Sequence, residues 1–294
     1  MNILVTGGAG QVGRELQRHG MLAGHALQAL DRTELDITDA AAVAACISSN
    51  TPDLVINAAA YTAVDKAEQN AEMAFAINRD GAANLARACA AQAIPLLHIS
   101  TDYVFDGHKK TPYREDDPVA PLGVYGASKW QGEQQIRALC QQHIILRTSW
   151  VFGACGQNFV RSMLRLARER EELRVVADQR GCPTPAGAIA QVLLNIAGQL
   201  TFSCSSVFGT YHYCGSPATS WHGFAEAVVA EARSLTALTV QRVVPISTAE
   251  YPTPAARPAN SVLDCSRLQD VFAIQPSDWR PDLRETLTTW LRSV

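Results

Sequence analysis

Tyr125 and Lys129 are the two side chains whose types and spacing first suggest acid–base chemistry. They lie four positions apart in the stretch VYGASK, residues 124–129, and on a helix this spacing places both on one face. A phenol with an ordinary pKa of about 10 is a poor acid–base catalyst at neutral pH, whereas a neighbouring ammonium lowers that pKa. The pair is either a proton donor with its electrostatic partner or two ordinary surface residues, and the spacing alone does not decide.

A glycine-rich loop near the N-terminus has a spacing typical of dinucleotide binding. TGGAGQVG, residues 6–13, follows the apolar run NILV and opens a helical pattern, with Gly7, Gly10 and Gly13 spaced G-x-x-G-x-x-G. Such glycines let the backbone approach a pyrophosphate, and the helix N-terminus supplies free N–H groups. A tight turn without a ligand is the alternative, but the position directly after an N-terminal strand favours a dinucleotide cofactor.

The residues that select the cofactor give a mixed signal. Asp31 and Arg32 stand about 20 residues beyond the loop, where an acidic residue binds the 2′-hydroxyl of NAD and an arginine accommodates the 2′-phosphate of NADP. We therefore expect NADPH or NADH to be used, although a solvated loop pair explains these two side chains nearly as well. Asp36 and Ile37 are expected to flank the adenine.

A hydroxyl group is predicted beside this loop. In HISTDYVFDG, residues 98–107, an apolar strand ends at Ser100 and Thr101, and ligands of open α/β sheets bind at the carboxyl ends of strands. A hydroxyl there can hydrogen-bond a substrate carbonyl on which charge develops, although a threonine at a strand end is common without any ligand. His98, in mid-strand, is interpreted as a core histidine rather than a catalyst.

The elements that must position these residues alternate between strands and helices. Apolar strands separated by helices indicate a parallel sheet covered on both faces, a doubly wound Rossmann-type α/β fold. The predicted strands are residues 2–7, 26–31, 53–60, 95–100 and 143–151, and the predicted helices between them are residues 11–20, 40–49, 71–92 and 127–142.

Past Trp150 the alternation loosens, which indicates a second, smaller unit. Helices are predicted at 158–171, 186–199, 220–235 and near 283–293, with strands at 173–178, 209–215 and 239–247. The strand at 209–215 is expected to return to the large sheet. We predict a dinucleotide-binding domain of residues 1–150 plus about 184–214, and a smaller α/β substrate-binding domain of about 151–183 plus 215–294.

Composition excludes several classes of protein. The 294 residues carry a net charge of −3 with a pI near 6.2, so neither nucleic acid nor an acidic membrane is an expected partner. The sequence has no apolar run long enough to predict a membrane span. The N-terminus lacks the basic flank of a signal peptide. Eight scattered cysteines without a CxxC motif predict reduced thiols and a cytoplasmic protein.

Six motifs in this order resemble the extended short-chain dehydrogenase/reductases and, within them, the dTDP-4-dehydrorhamnose reductase family. They are TGGAGQVG, NAAAYTAVDKAE, STDYVFDG, VYGASK, RTSWVFG and YPTPAARPANSVLD. The resemblance implies that Thr101, Tyr125 and Lys129 are catalytic. It implies cofactor contacts from Gly7, Gly10, Gln11, Val12, Gly13, Asp31, Arg32, Asp36, Ile37, Ala58, Ala59, Ala60, Tyr125 and Lys129.

The reaction that this resemblance implies is hydride transfer from NAD(P)H to C4 of dTDP-4-dehydro-L-rhamnose, which gives dTDP-L-rhamnose for surface polysaccharide. Tyr125 would donate the proton, Thr101 would hold the carbonyl oxygen, and Lys129 would lower the pKa of Tyr125 and bind the nicotinamide ribose. Binding both reactants in contact supplies the proximity that the chemistry needs.

Substrate contacts are expected from several of these motifs. For Asp65 a structural salt bridge is an equally good explanation, and Trp150 is nearly as well explained as a core residue. Arg257 is the best candidate for the substrate pyrophosphate, since a guanidinium binds phosphate at two points. The expected set is Thr62, Val64, Asp65, Thr101, Asp102, Tyr103, Trp150, Asn158, Thr184 and Arg257.

Members of this family are often described as Mg²⁺-dependent, with acids assisting a dimer contact. Glu15 stands where such a ligand could come from, but the helix AGAIAQVL has no carboxylate. Because hard cations need several oxygen ligands, we expect no strong metal site, which leaves a monomer or a homodimer without a metal bridge.

Two other functions compete with the reductase. A nucleotide-sugar 4-epimerase or dehydratase shares the scaffold, but dehydratases carry an acidic pair beside the catalytic threonine, and here Tyr103 follows Asp102. A regulatory subunit resembling that of methionine adenosyltransferase would bind NADP without turnover. The intact Thr101, Tyr125 and Lys129 favour the enzyme.

Overall fold

The computed structural model describes residues 1–200 and 207–292, so Cys204 and the last two residues lie outside it. Its centre is a six-stranded sheet in the order β10-β5-β4-β3-β1-β2, and all neighbouring strands in it are parallel. This confirms the predicted doubly wound fold and the return of the late strand, which pairs with β5. The strands are β1 (Asn2–Thr6), β2 (Ala26–Leu30), β3 (Leu54–Asn57), β4 (Leu96–Thr101), β5 (His143–Thr148), β6 (Val151–Phe152), β7 (Glu172–Val176), β8 (Arg180–Gly181), β9 (Thr184–Pro185), β10 (Gly209–His212), β11 (Thr219–Ser220) and β12 (Arg242–Ile246).

Helices cover both faces of the sheet because successive strand residues point to opposite sides. Ile3 and Val5 pack in one apolar cluster with α1 and α8, whereas Leu4 packs in another with α2, α5 and α6. The helices are α1 (Gln11–Leu22), α2 (Ala40–Asn50), α3 (Val64–Ala67), α4 (Ala71–Phe75), α5 (Ala82–Ala91), α6 (Val124–Leu139), α7 (Phe159–Glu169), α8 (Ala186–Gln199), α9 (Trp221–Arg233), α10 (Ser266–Phe272) and α11 (Trp279–Arg292).

A separate apolar cluster holds the smaller part of the molecule together. Phe224 and Val228 of α9 pack with residues of α7, α11 and the parallel pair β7–β12. Strand β10 and helix α8 belong instead to the large sheet and its covering layer. This packing supports the division into two domains predicted from the sequence, which we retain as a proposal.

The structure departs from the predicted elements in several places. The single helix predicted at 71–92 is α4, a π-helical turn (Ala76–Gly81) and α5. Within that turn, the Asn78 side chain accepts from the Tyr61 N–H and donates to the Ser128 hydroxyl, contacts that a period of 3.6 residues does not reveal. The short helix α10 was not predicted either.

No helix in the described part of the chain is long and apolar enough to cross a membrane. All seven described cysteines are free.

Candidate active site

The glycine-rich loop brings the start of α1 against the ends of β1 and β3. Gly7 has φ +77°, and a Cβ there would lie 2.5 Å from the Ala59 nitrogen. A Cβ on Gly13 would lie 2.2 Å from the Gly7 carbonyl oxygen. Because only glycine fits at these two positions, the loop stays close to the sheet and leaves the backbone around Gly10 free to line a cavity.

Tyr125 lies in the first turn of α6, opposite Thr101 at the end of β4. A Cβ on Gly126 would lie 2.1 Å from the Tyr103 carbonyl oxygen, so the missing side chain is what allows α6 to approach this strand end. The Val124 N–H at the start of α6 donates to Glu68 at 2.8 Å. The Tyr103 and Tyr125 rings meet edge to face, with centroids 5.6 Å apart.

The Tyr125 phenol is protonated throughout the physiological pH range. Burial raises its pKa to about 12, the Asp102 carboxylate adds to this, and a hydrogen bond with Thr101 opposes it. Lys129 was expected to lower this pKa, but its Nζ donates to the Ile99 carbonyl at 2.7 Å and lies 3.1 Å from His98 Nε2. Burial lowers the pKa of Lys129 itself to about 8.

Asp102 places a carboxyl group beside the phenol. Its Oδ1 accepts from the Thr101 hydroxyl at 3.0 Å, and its buried Oδ2 has no partner among the described residues. Burial raises the pKa of this carboxyl to about 7. Asp102 is therefore divided between the acid and the carboxylate near neutral pH.

A cavity of about 600 Å³ joins the glycine-rich loop to this reacting centre. It brings together most of the residues that the sequence analysis singled out. Its lining includes Gly10, Gln11, Val12, Ala58, Ala60, Thr62, Val64, Thr101, Asp102, Tyr103, Tyr125, Lys129, Trp150 and Asn158.

A second cavity of about 500 Å³ opens beside the first, and Tyr103 lines both. Trp150 lines the first cavity and Trp221 the second. Their rings are stacked with centroids 3.5 Å apart and an angle of 7° between planes. The two tryptophans thus form a shared apolar wall between the cavities, and Gly181, whose Cβ would lie 2.4 Å from the Trp150 ring, makes room for it.

Arg257 lines the second cavity and is held there by Asp65. The guanidinium lies 2.8 Å from Asp65 Oδ2, and Asp65 Oδ1 accepts from the Ala255 N–H at 3.2 Å. Asp65 therefore has the salt bridge that was its structural alternative, and it lines neither cavity.

Asn158 and Thr184 were both expected to contact substrate, and the structure places them differently. Asn158 Nδ2 donates to Gln11 at 2.9 Å, so this side chain lies beside the glycine-rich loop. Thr184 is completely buried, donates to the Cys182 carbonyl at 3.0 Å and accepts from the Gly215 N–H at 3.2 Å. It lines neither cavity and connects its own segment to Gly215.

The residues expected near the adenosine lie beyond the lining of the first cavity. Asp31 Oδ1 accepts from the backbone and hydroxyl of Thr33, which lowers the Asp31 pKa. Arg32 is exposed, with its Nε 3.7 Å from Asp36. Ile37 is buried, and its side chain packs where a Cβ on Gly81 would stand. The cavity lining also lacks Gly7, Gly13 and Ala59, which lie at the close contacts that hold the loop against the sheet.

The sequence analysis missed most of the second cavity. Its walls come from α7, β7, the start of α9 and the loop near Tyr251, so they form no contiguous motif. The proline- and glycine-rich turn that follows Gln179, and a tryptophan directly after the helix-capping Ser220, were the signals available. The missed residues include Phe159, Met163, Arg170, Arg174, Gln179, Trp221 and Tyr251.

The residues around Glu15 do not fit a magnesium site. Its carboxylate is paired with Arg18 at 3.0 Å and lies 3.5 Å from His19 Nε2, while Gly187 of α8 faces it without any ligand atom on a side chain. Across residues 1–200 and 207–292, no group of three or more His, Cys, Asp or Glu side chains is placed to hold a metal ion.

Two comparisons with known proteins show the family of this chain. The model of the RmlD substrate binding domain family matches residues 1–292. The dTDP-4-dehydrorhamnose reductase of Aggregatibacter actinomycetemcomitans is 48% identical over 96% of this chain and 97% of its own length. The chain belongs to the dTDP-4-dehydrorhamnose reductase family. The predicted resemblance is therefore confirmed.

Solved structures of this family have the same fold. A dTDP-4-dehydrorhamnose reductase from Clostridium acetobutylicum superposes with a TM-score of 0.92 at 37% identity and covers 99% of both chains. The Bacillus anthracis dTDP-4-dehydrorhamnose reductase, solved in complex with NADP, gives 0.90 at 36% identity over 98% of both chains. The fold is thus shared with these two solved structures of the family.

Proposed function

We propose that this protein reduces the C4 ketone of dTDP-4-dehydro-L-rhamnose with NADPH or NADH and so produces dTDP-L-rhamnose. The observation that carries the proposal is the convergence of Thr101, Tyr125 and Lys129 on the cavity that begins at the glycine-rich loop. The 48% identity to a dTDP-4-dehydrorhamnose reductase over nearly the whole chain supports the same reaction. It disfavours the epimerase and the regulatory subunit.

The residues present fit a nicotinamide dinucleotide. The loop holds its backbone against the sheet at the two positions where a Cβ would collide, and the first N–H groups of α1 are free to bind a pyrophosphate. When bound, NAD(P)H supplies the hydride that is added at C4. Gly10, Gln11 and Val12 would hold the pyrophosphate, Ala58 and Ala60 would line the adjoining wall, and Lys129 would bind the ribose.

Tyr125 then acts as the proton donor to the C4 oxygen, since its phenol keeps its proton far above neutral pH. Thr101 orients the phenol and the carbonyl from the end of β4. Together these two hydroxyl groups polarise the ketone and deliver one proton to the alkoxide as it forms. The close approach of α6 to the end of β4 positions the hydroxyls of Tyr125 and Thr101.

The nucleotide-sugar is proposed to lie across both cavities. Thr62, Val64, Asp102 and Tyr103 line the first cavity on the sugar side, and Trp150 offers an apolar surface to the 6-deoxy methyl group. Arg257 lines the second cavity, where its guanidinium is available to the substrate pyrophosphate. Asp65 holds that guanidinium in position, and we assign no direct substrate contact to Thr184.

We further propose a cytoplasmic location and a monomeric or homodimeric state. The free thiols of the described cysteines are those of a reducing compartment, where NAD(P)H is also available. The residues proposed to act on cofactor and substrate line two cavities of this chain.

The decisive test is the Tyr125→Phe variant. The purified protein is mixed with dTDP-4-dehydro-L-rhamnose and NADPH, then NADH, in the presence of EDTA, and oxidation is followed at the nicotinamide absorbance. Wild type should turn over, and Tyr125→Phe should lose about 10²- to 10⁴-fold in kcat, the usual contribution of general acid catalysis, while still binding NADPH.

Tyr211→Phe is the matched control, because the Tyr211 hydroxyl donates to the Val207 carbonyl at 2.6 Å and lies outside both cavities. Its activity should stay within about twofold of wild type. Wild-type turnover that survives Tyr125→Phe would exclude Tyr125 as the acid, and no turnover by wild type with either cofactor would overturn the proposed reaction.

A further inference from the structure

His98 is one link of a buried hydrogen-bond chain that crosses the sheet and ends at Lys129. The Thr6 hydroxyl on β1 donates to Asn57 Oδ1 on β3 at 2.8 Å, and Asn57 Nδ2 lies 2.9 Å from His98 Nδ1. His98 Nε2 in turn lies 3.1 Å from Lys129 Nζ. None of these four side chains is more than 2% exposed, so each contact needs one donor and one acceptor.

A backbone N–H group fixes which atoms donate and which accept along this hydrogen-bond chain. The Ala59 N–H lies 3.0 Å from Asn57 Oδ1, and a backbone N–H can only donate, so the amide oxygen of Asn57 must face it. The amide NH₂ of Asn57 therefore faces His98 Nδ1 and donates to it. A neutral imidazole that accepts at Nδ1 carries its proton at Nε2.

The Nε2–H of His98 consequently points at Lys129 Nζ. An ammonium has three donors and no acceptor, so protonated Lys129 cannot pair with this N–H. A neutral amine can, because its lone pair accepts from Nε2–H while one of its own hydrogens is donated to the Ile99 carbonyl at 2.7 Å. The contacts at Nζ fit the neutral amine.

The surroundings disfavour a second proton on His98 and make the Lys129 ammonium easier to deprotonate. Burial lowers the pKa of His98 well below its ordinary value, and Lys129, His143 and Arg137 act in the same direction. Burial also lowers the pKa of Lys129 to about 8, opposed by Glu133 one turn further along α6. The Glu133 carboxylate is itself neutralised, since Arg147 and Arg137 lie 2.8 and 2.7 Å from its Oε2.

We propose that His98 is a positioning residue that holds Lys129 as a neutral amine, and that Lys129 takes up a proton from solvent and leaves His98 when NAD(P)H occupies the cavity. The inference rests on the proposed function, in which Lys129 acts as an ammonium toward the ribose. The two arrangements exclude each other, because the ammonium has no lone pair to offer His98. His98 therefore couples cofactor binding to proton uptake.

The first test needs no cofactor. Full-length protein labelled with ¹⁵N-histidine is examined by NMR, and the tautomer of His98 is read from its two ring nitrogens at pH 7. We expect the proton at Nε2, with no conversion to imidazolium on acidification to about pH 6, where an ordinary histidine titrates. A proton at Nδ1, or an imidazolium at pH 7, would overturn the proposal.

The second test measures proton uptake when NADPH binds. Titration calorimetry at pH 9 in two buffers of different ionisation enthalpy should give an uptake on the order of one proton per NADPH, because Lys129 is mostly neutral there. Lys129→Met should abolish the uptake, which assigns the proton. His98→Gln places an amide oxygen near Nζ that the ammonium can donate to, so uptake should fall at least about twofold.

Tight NADPH binding by wild type at pH 9 without proton uptake would overturn the proposed coupling, and this result does not depend on whether the variants fold. Equal proton uptake in His98→Gln and wild type would show that His98 plays no part in this coupling. Failure to bind either NADPH or NADH would contradict the proposed function. The tautomer of His98 is measured independently of that outcome, so the two failures are distinguishable.

Discussion

Glu133 and Arg147 form a two-point ion pair enclosed directly beneath the reacting centre. Arg147 Nε donates to Oε1 at 2.9 Å and Nη2 to Oε2 at 2.8 Å, and neither residue is more than 1% exposed. The Ser100 hydroxyl donates to the same carboxylate at 2.6 Å. The pair therefore ties β4, β5 and α6 together, and α6 is the helix that carries Tyr125 and Lys129.

Glu133→Gln should destabilise the protein by about 3–5 kcal/mol, because it leaves the Arg147 charge buried without its counter-charge. Denaturant unfolding monitored by circular dichroism measures this change. Glu169→Gln is the matched control: Glu169 pairs with Arg165 one helical turn away, with both side chains exposed, so its removal should cost no more than about 0.5 kcal/mol. Equal losses in the two variants would contradict the structural role of the Glu133–Arg147 pair.

Gly126→Ala should damage catalysis through position alone. Its Cβ would lie 2.1 Å from the Tyr103 carbonyl oxygen, so α6 must move away from the end of β4 and take Tyr125 away from Thr101. Because a misplacement of about 1 Å can cost about 10²-fold in rate, we expect kcat to fall by this order with Tyr125 intact. Steady-state NADPH oxidation measures the change.

The control for this variant is Gly198→Ala. Gly198 lies in α8, where a Cβ would meet nothing within 4 Å, so alanine should leave kcat unchanged and stabilise the protein by up to about 1 kcal/mol. Wild-type kcat in Gly126→Ala would show that the close approach of α6 to β4 is not needed.

Local patterns in the sequence predict the sheet and the first cavity. The alternation of apolar strands with helices, the glycine spacing at 7, 10 and 13 and the hydroxyl at the end of β4 each follow from a rule that acts over a few residues. The Tyr125–Lys129 spacing likewise predicts their shared helix. These local patterns therefore predict which functional groups lie at one edge of the sheet.

Other features depend on contacts between distant segments, which no local pattern encodes. Asp65 pairs with Arg257, almost two hundred positions later, and Trp150 stacks on Trp221. The position of Lys129 on α6 depends on His98 of β4, whose proton is placed in turn by the Asn57 amide of β3. Periodicity places each of these residues on an element but does not say which neighbour its polar atoms meet.

Arg32→Ala should separate the two cofactors. Asp31 is engaged by Thr33, whereas the Arg32 side chain is exposed beyond β2, 3.7 Å from Asp36, and its guanidinium can pair with a 2′-phosphate. We expect the variant to bind NADPH about tenfold more weakly, equivalent to about 1.4 kcal/mol, with NADH binding unchanged. Fluorescence titration with each cofactor measures both constants, and an equal loss for the two would place Arg32 outside the cofactor site.

Asp102 should give the reductase a pH dependence of its own. Burial raises the pKa of its carboxyl to about 7, so the folded protein favours the neutral acid. As pH rises through 7, a negative charge appears beside Tyr125, where negative charge also develops on the substrate oxygen, and the two repel. Tyr125 keeps its proton over this range, so kcat/KM should fall with rising pH because of Asp102.

Asp102→Asn removes this charge and should move the falling limb of kcat/KM from near pH 7 to higher pH. A stability measurement checks the same sign. Folded Asp102 holds a proton between its ordinary pKa of 3.8 and about 7, so its contribution to the unfolding free energy should decrease as pH rises through that window. Superimposable pH profiles for Asp102→Asn and wild type would show that the carboxyl does not ionise near the reacting oxygen.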